Sequence, residues 1–165
     1  MTFYQIIQIL ATFLTGLVAG LFYAYQCSVI GGLGKLGDKD YLTAFQYINR
    51  VILNPWFFAS FMGCILVLSI AIWLSNRSGL QSDFYFLIAA TIVYVVGVFG
   101  VTIFCNIPLN NALENFNIKS ASTEEMDKFR KFFEPAWNRY NLIRTFASTC
   151  SFLLCLLSMF KNYRF

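Results

Sequence analysis

The side chains best suited to chemistry in this chain are amides and one guanidinium, set at the ends of apolar runs. Gln26 closes the first run with Tyr23 beside it; Gln46, Asn49 and Asn54 precede the second; Asn106 and Asn110 close the third; Asn138, Asn141 and Arg144 open the fourth. Polar groups in apolar helices are costly and turn toward neighbouring helices, so these contributions should meet at one end of a bundle. Their N–H groups donate hydrogen bonds, and donors aimed at one point stabilise a developing oxyanion. Asn106, Asn110, Asn141 and Arg144 are therefore the candidate catalytic set, with Tyr23, Gln26, Gln46, Asn49, Asn54, Trp56 and Trp137 as candidate substrate-binding residues. Histidine is absent, which excludes imidazole acid–base work, Ser-His-Asp catalysis and His-ligated haem or zinc. The five cysteines (Cys27, Cys64, Cys105, Cys150 and Cys155) lack a metal-ligand spacing and read as small buried hydrophobes. No metal and no cofactor is expected.

These residues also have structural readings. Pro108 withholds an N–H and disfavours helix at Ile107, so Asn106-x-Pro108-x-Asn110 predicts a broken helix end whose carbonyls need donors. A bilayer tolerates no unpaired backbone, and Asn106, Asn110 and Arg144 could serve that purpose alone. Alternatively they line a ligand pocket roofed by surface helices. Arg144 reads equally as a snorkelling flank, and Trp56, Trp137, Tyr41 and Tyr140 as anchors at the membrane surface. Glu114 and Glu134 are the carboxylates nearest in sequence, readable as a base or as partners of a basic membrane flank.

The elements that must position these groups are membrane helices. Of the 165 residues 58% are hydrophobic and 12% charged, against roughly 25% charge in an ordinary soluble domain. A mean hydropathy of +0.63 excludes disorder. A crossing takes about 20 mostly apolar residues. Four crossings fit, over 3–33, 55–75, 84–105 and 140–160, within a single domain of 1–165. Three stripes at helical spacing should face other helices: Gln8, Thr12, Thr15, Ala19 and Gln26 on the first span, Thr91, Tyr94, Val98, Thr102 and Cys105 on the third, and Trp137, Asn141, Arg144, Ser148, Ser151 and Cys155 on the fourth. Gly16 and Gly20 form a GxxxG pair that permits close helix approach.

The connections carry helices of their own. Asp38 can cap a helix over 38–53 whose apolar positions Tyr41, Leu42, Phe45, Ile48 and Ile52 oppose Lys39, Thr43 and Arg50, a pattern suited to the membrane interface. Asn54 then caps, and Pro55 opens the second span at the first helical position. Ser122 and Glu125 form a capping box for a second surface helix over 122–134, and Pro135 marks a kink or restart before the fourth span. The predicted fold is an all-α integral membrane four-helix bundle with two amphipathic surface helices on one face.

Arg77, Lys161 and Arg164 fall on the side of the termini, whereas Lys35, Lys39, Arg50, Lys119, Lys128, Arg130, Lys131, Arg139 and Arg144 fall on the other. The positive-inside bias then puts both termini outside and both long connections in the cytoplasm, with a bacterial inner membrane as the expected location. The implied partners are the lipid bilayer and a small lipophilic ligand, not nucleic acid, and a homo-oligomer stays open. A transporter would want an inverted repeat and an intramembrane carboxylate within the apolar runs, neither of which is visible.

Several motifs together resemble a known family. The run from Gly20 through Tyr23, Tyr25 and Gln26 to Ser28, then Gly32-Leu33, Phe45-Gln46-x-x-Asn49, Asn54-Pro55-x-Phe57, Asn106-x-Pro108-Leu109-Asn110 and Trp137-Asn138-x-x-Asn141-x-x-Arg144, is similar to the anthrone-oxygenase-like small integral membrane proteins. Most members of that group are classed as a domain of unknown function. The resemblance implies a four-span bundle and cofactor-independent oxidation of an anthrone to an anthraquinone by dioxygen. It further implies an apolar chamber in which Asn106, Asn110, Asn141 and Arg144 stabilise an oxyanion, with Glu114, Glu134, Tyr47 or water as base. The competing function is a non-catalytic membrane module that binds a lipid or hydrophobic metabolite, or scaffolds a partner protein.

Overall fold

A computed structural model describes residues 1–160. Among these residues the chain forms α1 (Phe3–Leu33), α2 (Asp38–Val51), α3 (Pro55–Arg77), α4 (Gln81–Asn115) and α5 (Thr123–Phe160). All but α2 are long and apolar enough to cross a membrane. The shortest of the four, α3, has 23 residues, roughly 35 Å at 1.5 Å per residue, against a hydrocarbon core of about 30 Å. The four long helices pack in the cyclic order α1, α3, α4, α5, each against two others. Their shared core runs through Ala11, Val18, Cys64, Leu68, Leu87, Ala90 and Val98.

Helix ends follow the sequence signals in most places. Thr2 and Gln5 form a capping box on α1, with the Thr2 N–H donating to Gln5 Oε1 at 2.8 Å. Asn54 Oδ1 accepts from the Phe57 N–H at 3.1 Å, and Pro55 opens α3. Gly79, at φ +69°, makes the left-handed residue of the short α3–α4 link. Ser122 and Glu125 exchange bonds of 2.7 and 3.2 Å ahead of α5. Asp38 does not cap α2: Gly37 holds that position, and the Asp38 carboxylate instead accepts from Arg130 Nη1 at 3.0 Å.

The prolines interrupt less than expected. α5 is continuous through Pro135, so the surface helix of 122–134 and the fourth span are one 38-residue helix. α4 likewise passes Pro108, with Ile107 fully helical, and extends to Asn115. π-helical turns over Tyr94–Gly100 and Thr102–Asn106 precede that proline. A widened turn changes which carbonyl each N–H meets, which accommodates a residue that has no N–H. A third widened turn, Tyr25–Val29, lies in α1.

The expected interfacial helix is instead the lid of a second core. Tyr41, Leu42 and Phe45 of α2 are fully buried against Leu109, Leu113, Met126, Phe133 and Trp137. Phe45 meets the ring edges of Phe133 at 5.0 Å and Trp137 at 4.7 Å. This headpiece is tied together by Arg130, whose guanidinium donates to the carbonyls of Gly34 and Leu36 at the end of α1, to Asp38 and to Glu134, while lying 4.3 Å above the Tyr41 ring. Burial, reinforced by the negative charge of Glu134 and opposed by Arg130, holds the Tyr41 hydroxyl above the ordinary tyrosine range.

Two other readings need correction. Gly20 approaches nothing and Gly16 meets only the ring of Phe152, so the GxxxG pair does not join backbones. The close approach is at Gly97, where an added Cβ would lie 2.5 Å from Ala147 Cβ on α5. Of the cysteines, Cys64 and Cys155 are buried, whereas Cys27 and Cys150 are exposed and Cys105 is partly so. Lys161 and Arg164, used to infer orientation, lie outside the described residues.

Candidate functional site

The junction between bundle and headpiece holds a cavity of about 260 Å³, near the lower end of small-molecule sites. All five helices reach it: Phe22 and Tyr25 from α1, Ile48 and Asn49 from α2, Phe57 and Phe61 from α3, Phe99, Thr102 and Asn110 from α4, and Trp137, Asn141 and Arg144 from α5. Its walls are mainly aromatic and aliphatic. Phe61 forms part of the wall, stacked between Phe57 at 5.0 Å and Phe99 at 5.7 Å.

Arg144 is the charged group on that wall, and only 6% of it is exposed. The spacing of the fourth-span stripe puts it on the face of α5 turned to α1 and α4. Its Nη2 donates to Asn141 Oδ1 at 3.2 Å and its Nη1 to Thr102 Oγ1 at 3.4 Å. Asn141 in turn donates from Nδ2 to Gln26 Oε1 at 3.3 Å. The guanidinium sits 4.4 Å from the Phe22 ring centre and 5.4 Å from that of Trp137. Among the described residues no carboxylate pairs with it. Among the described residues its Nε has no hydrogen-bond partner, and Asn49, which also lines the cavity, has a buried and unpaired Nδ2.

The remaining named residues divide clearly. Asn110 and Trp137 both line the cavity and bond to each other, Trp137 Nε1 donating to Asn110 Oδ1 at 2.9 Å. Asn106 is completely buried with both side-chain polar atoms unpaired, but it does not line the cavity. Gln46 is elsewhere, donating to the carbonyls of Leu113 and Phe116 at the end of α4. Asn54 is occupied as a helix cap, and Tyr23 and Trp56 are exposed on the outside, at 61% and 87%.

The suggested bases are also placed away from the cavity. Glu114 pairs with Arg50 at 2.7 Å, which raises the Arg50 pKa through that hydrogen bond. Glu134 pairs with Arg130, and Tyr47 is exposed. Tyr25 does line the cavity, 6.0 Å from the Trp137 ring, and was missed as a site residue although it lies inside the Gly20-to-Ser28 motif. Thr102 was legible only as part of a helical stripe.

The sequence model of the family described as Anthrone oxygenase matches residues 55–154. The match takes in α3, α4 and most of α5, and with them Asn106, Asn110, Trp137, Asn141 and Arg144; α1 and α2, which bring Tyr25 and Asn49, precede it. No curated protein and no solved structure matches the chain. With more than half of its length covered, the chain belongs to the anthrone oxygenase family.

Proposed function

We propose that the cavity binds a flat, lipophilic aromatic ketone and oxidises it with dioxygen, without a cofactor. The observation that carries this reading is Arg144: a buried guanidinium without a carboxylate partner among the described residues, on the wall of an aromatic cavity, with one donor unused. Such a group favours an anion over a neutral molecule, because isolated buried charge is costly and an opposite charge offsets it.

Anthrone is the simplest ketone of this kind. A proton leaves the carbon between the two aryl rings, and its electron pair delocalises onto the ketone oxygen. Arg144 and Asn49, wall residues that each carry an unpaired donor (Nε and Nδ2), supply the hydrogen bonds to that oxygen once their side chains turn into the cavity. The carbanion reduces dioxygen, the new carbon–oxygen bond gives a hydroperoxide, and loss of water leaves the quinone. One anthrone and one dioxygen become one anthraquinone and one water. Water is the proton acceptor, since no carboxylate lines the cavity among the described residues, and the Tyr25 hydroxyl on the same wall holds that water by hydrogen bonding.

Oxygen uptake by the detergent-purified protein with anthrone tests this. Arg144→Met should lower kcat about 10²- to 10³-fold, the loss typical of an oxyanion donor. Tyr25→Phe should lower it by a smaller factor, through loss of the hydroxyl that holds the water. Equal rates in wild type and both variants would remove these roles. Binding without turnover is the second reading, favoured by the lack of a carboxylate on the cavity wall, and retention of anthrone without oxygen uptake would identify it. The excess of Lys and Arg on the headpiece side supports its placement in the cytoplasm.

A further inference from the structure

The cavity has one side built unlike the others. Its wall residues Leu53, Phe58, Met62, Ile103 and Ile107 are also exposed, at 65, 45, 43, 37 and 42%. Phe58 and Met62 stand in the first turns of α3, and Ile103 and Ile107 stand on α4. These helices pack together mainly over the Gln81–Val93 end of α4, at the far end of their hairpin. Toward the headpiece they meet through the Phe61–Phe99 ring stack, and beyond it the cavity lies between them. On the water side, by contrast, Trp137 backs onto the buried rings of Phe45 and Phe133, so the headpiece core fills that route.

The level of this opening follows from the helix start. Met62 is seven residues beyond Pro55, roughly 10 Å along the axis, so an opening between Phe58, Met62, Ile103 and Ile107 falls just beneath the headgroups if Pro55 begins the crossing. Exposed apolar side chains there meet acyl chains, not water. Arg144 and Asn49, on the wall of the same cavity, each carry a buried donor that has no acceptor among the described residues.

We infer that the ligand is a bilayer-dissolved flat aromatic bearing an acceptor oxygen, and that it reaches Arg144 sideways between α3 and α4. The inference rests on the reading of the cavity as a ligand site. It adds the phase from which the ligand comes, and so a substrate class: compounds that partition into lipid, not water-soluble acids of the same ring system.

Trp137 provides the readout. The chain has three tryptophans, and the others, Trp56 and Trp73, are exposed on the outside, so Trp56→Phe with Trp73→Phe leaves one reporter on the cavity wall. This protein in lipid nanodiscs is mixed with anthraquinone, or with anthraquinone-2-sulfonate, and Trp137 quenching is followed in time. Anthraquinone should quench and the sulfonate should not. Met62→Phe with Ile103→Phe narrows the opening and should slow both onset and washout about tenfold, whereas Ile103→Ala should speed both. Parallel changes in the two rates mark a passage; a weaker site would change mainly the release.

Rapid quenching by the sulfonate, with rates indifferent to Met62 and Ile103, would overturn the lateral route and leave the cavity as a ligand site. Failure of anthraquinone to quench Trp137 at all would overturn the site and the route together.

Discussion

Replacing Gly97 by alanine tests how tightly the site depends on helix spacing. The added Cβ would lie 2.5 Å from Ala147 Cβ, whereas carbon atoms settle at about 3.5–4.0 Å, so α4 and α5 must separate by about 1 Å or more. Overpacking of this kind costs about 1–3 kcal/mol. For a chain of this length that corresponds to a fall of about 3–9 °C in apparent melting temperature. The separation also reaches the site, because the 3.4 Å contact from Arg144 to Thr102 crosses the same pair of helices one turn from Ala147. Thermal melting in detergent should therefore show a lower midpoint for Gly97→Ala, with reduced anthrone affinity beside it. Ala147→Gly in the same background should restore both, since it removes the opposing methyl. A midpoint unchanged in the single variant, or not recovered in the double, would refute the claim that contact at this position sets the spacing.

Arg130→Ala removes donors to Gly34, Leu36, Asp38 and Glu134 at once and should destabilise the headpiece by about 2–4 kcal/mol; limited proteolysis should cut first near Gly34–Gly37, and Arg130→Lys, lacking the planar fork, should not rescue it. Tyr41 is held neutral by burial, so its folded-state pKa lies above its unfolded value of about 10. Its contribution is complete below that value and is lost as pH climbs through the folded-state value, so melting midpoints should fall in alkali, less steeply for Tyr41→Phe. Because the Tyr41 hydroxyl is also buried without a partner, Tyr41→Phe should be about 1 kcal/mol more stable than wild type at neutral pH; a loss of stability would show that the hydroxyl matters to the headpiece.

The parts of this fold that depend on solvent were legible from sequence. Charge-free runs located the four long helices, and helical spacing identified the buried faces of α1 and α5, because a bilayer imposes both on any crossing segment. The Asn54–Pro55 start and the Ser122–Glu125 box were equally readable, since they are local hydrogen bonds. What could not be read is set by packing between distant segments. Tyr41, Leu42 and Phe45 have the pattern of a helix lying on lipid, and only the partner surface from Leu109, Met126 and Phe133 makes them a core. Pro108 and Pro135 break helices by propensity, yet both segments remain helical through them within the packed structure. Gly97 has nothing in its sequence neighbourhood to distinguish it from Gly20, and the difference lies entirely in Ala147 across the interface. Sequence position likewise brought Glu114 and Glu134 near the amides, while Arg50 and Arg130 draw their carboxylates to the surface of the headpiece.

The widened turns at Tyr25–Val29, Tyr94–Gly100 and Thr102–Asn106 give the chain an unusual sensitivity to its own length. Each residue advances a helix by about 100°, so deleting one residue within Thr102–Asn106 and letting the segment relax to ordinary helix would swing one half of α4 about its axis relative to the other. The carboxyl-terminal half is clamped in the headpiece and the amino-terminal half in the bundle, and both could not keep their partners. Insertions and deletions there act on the phase between headpiece and bundle, and members of the family should vary in loop length far more freely than in the residue count between Gly97 and Asn110.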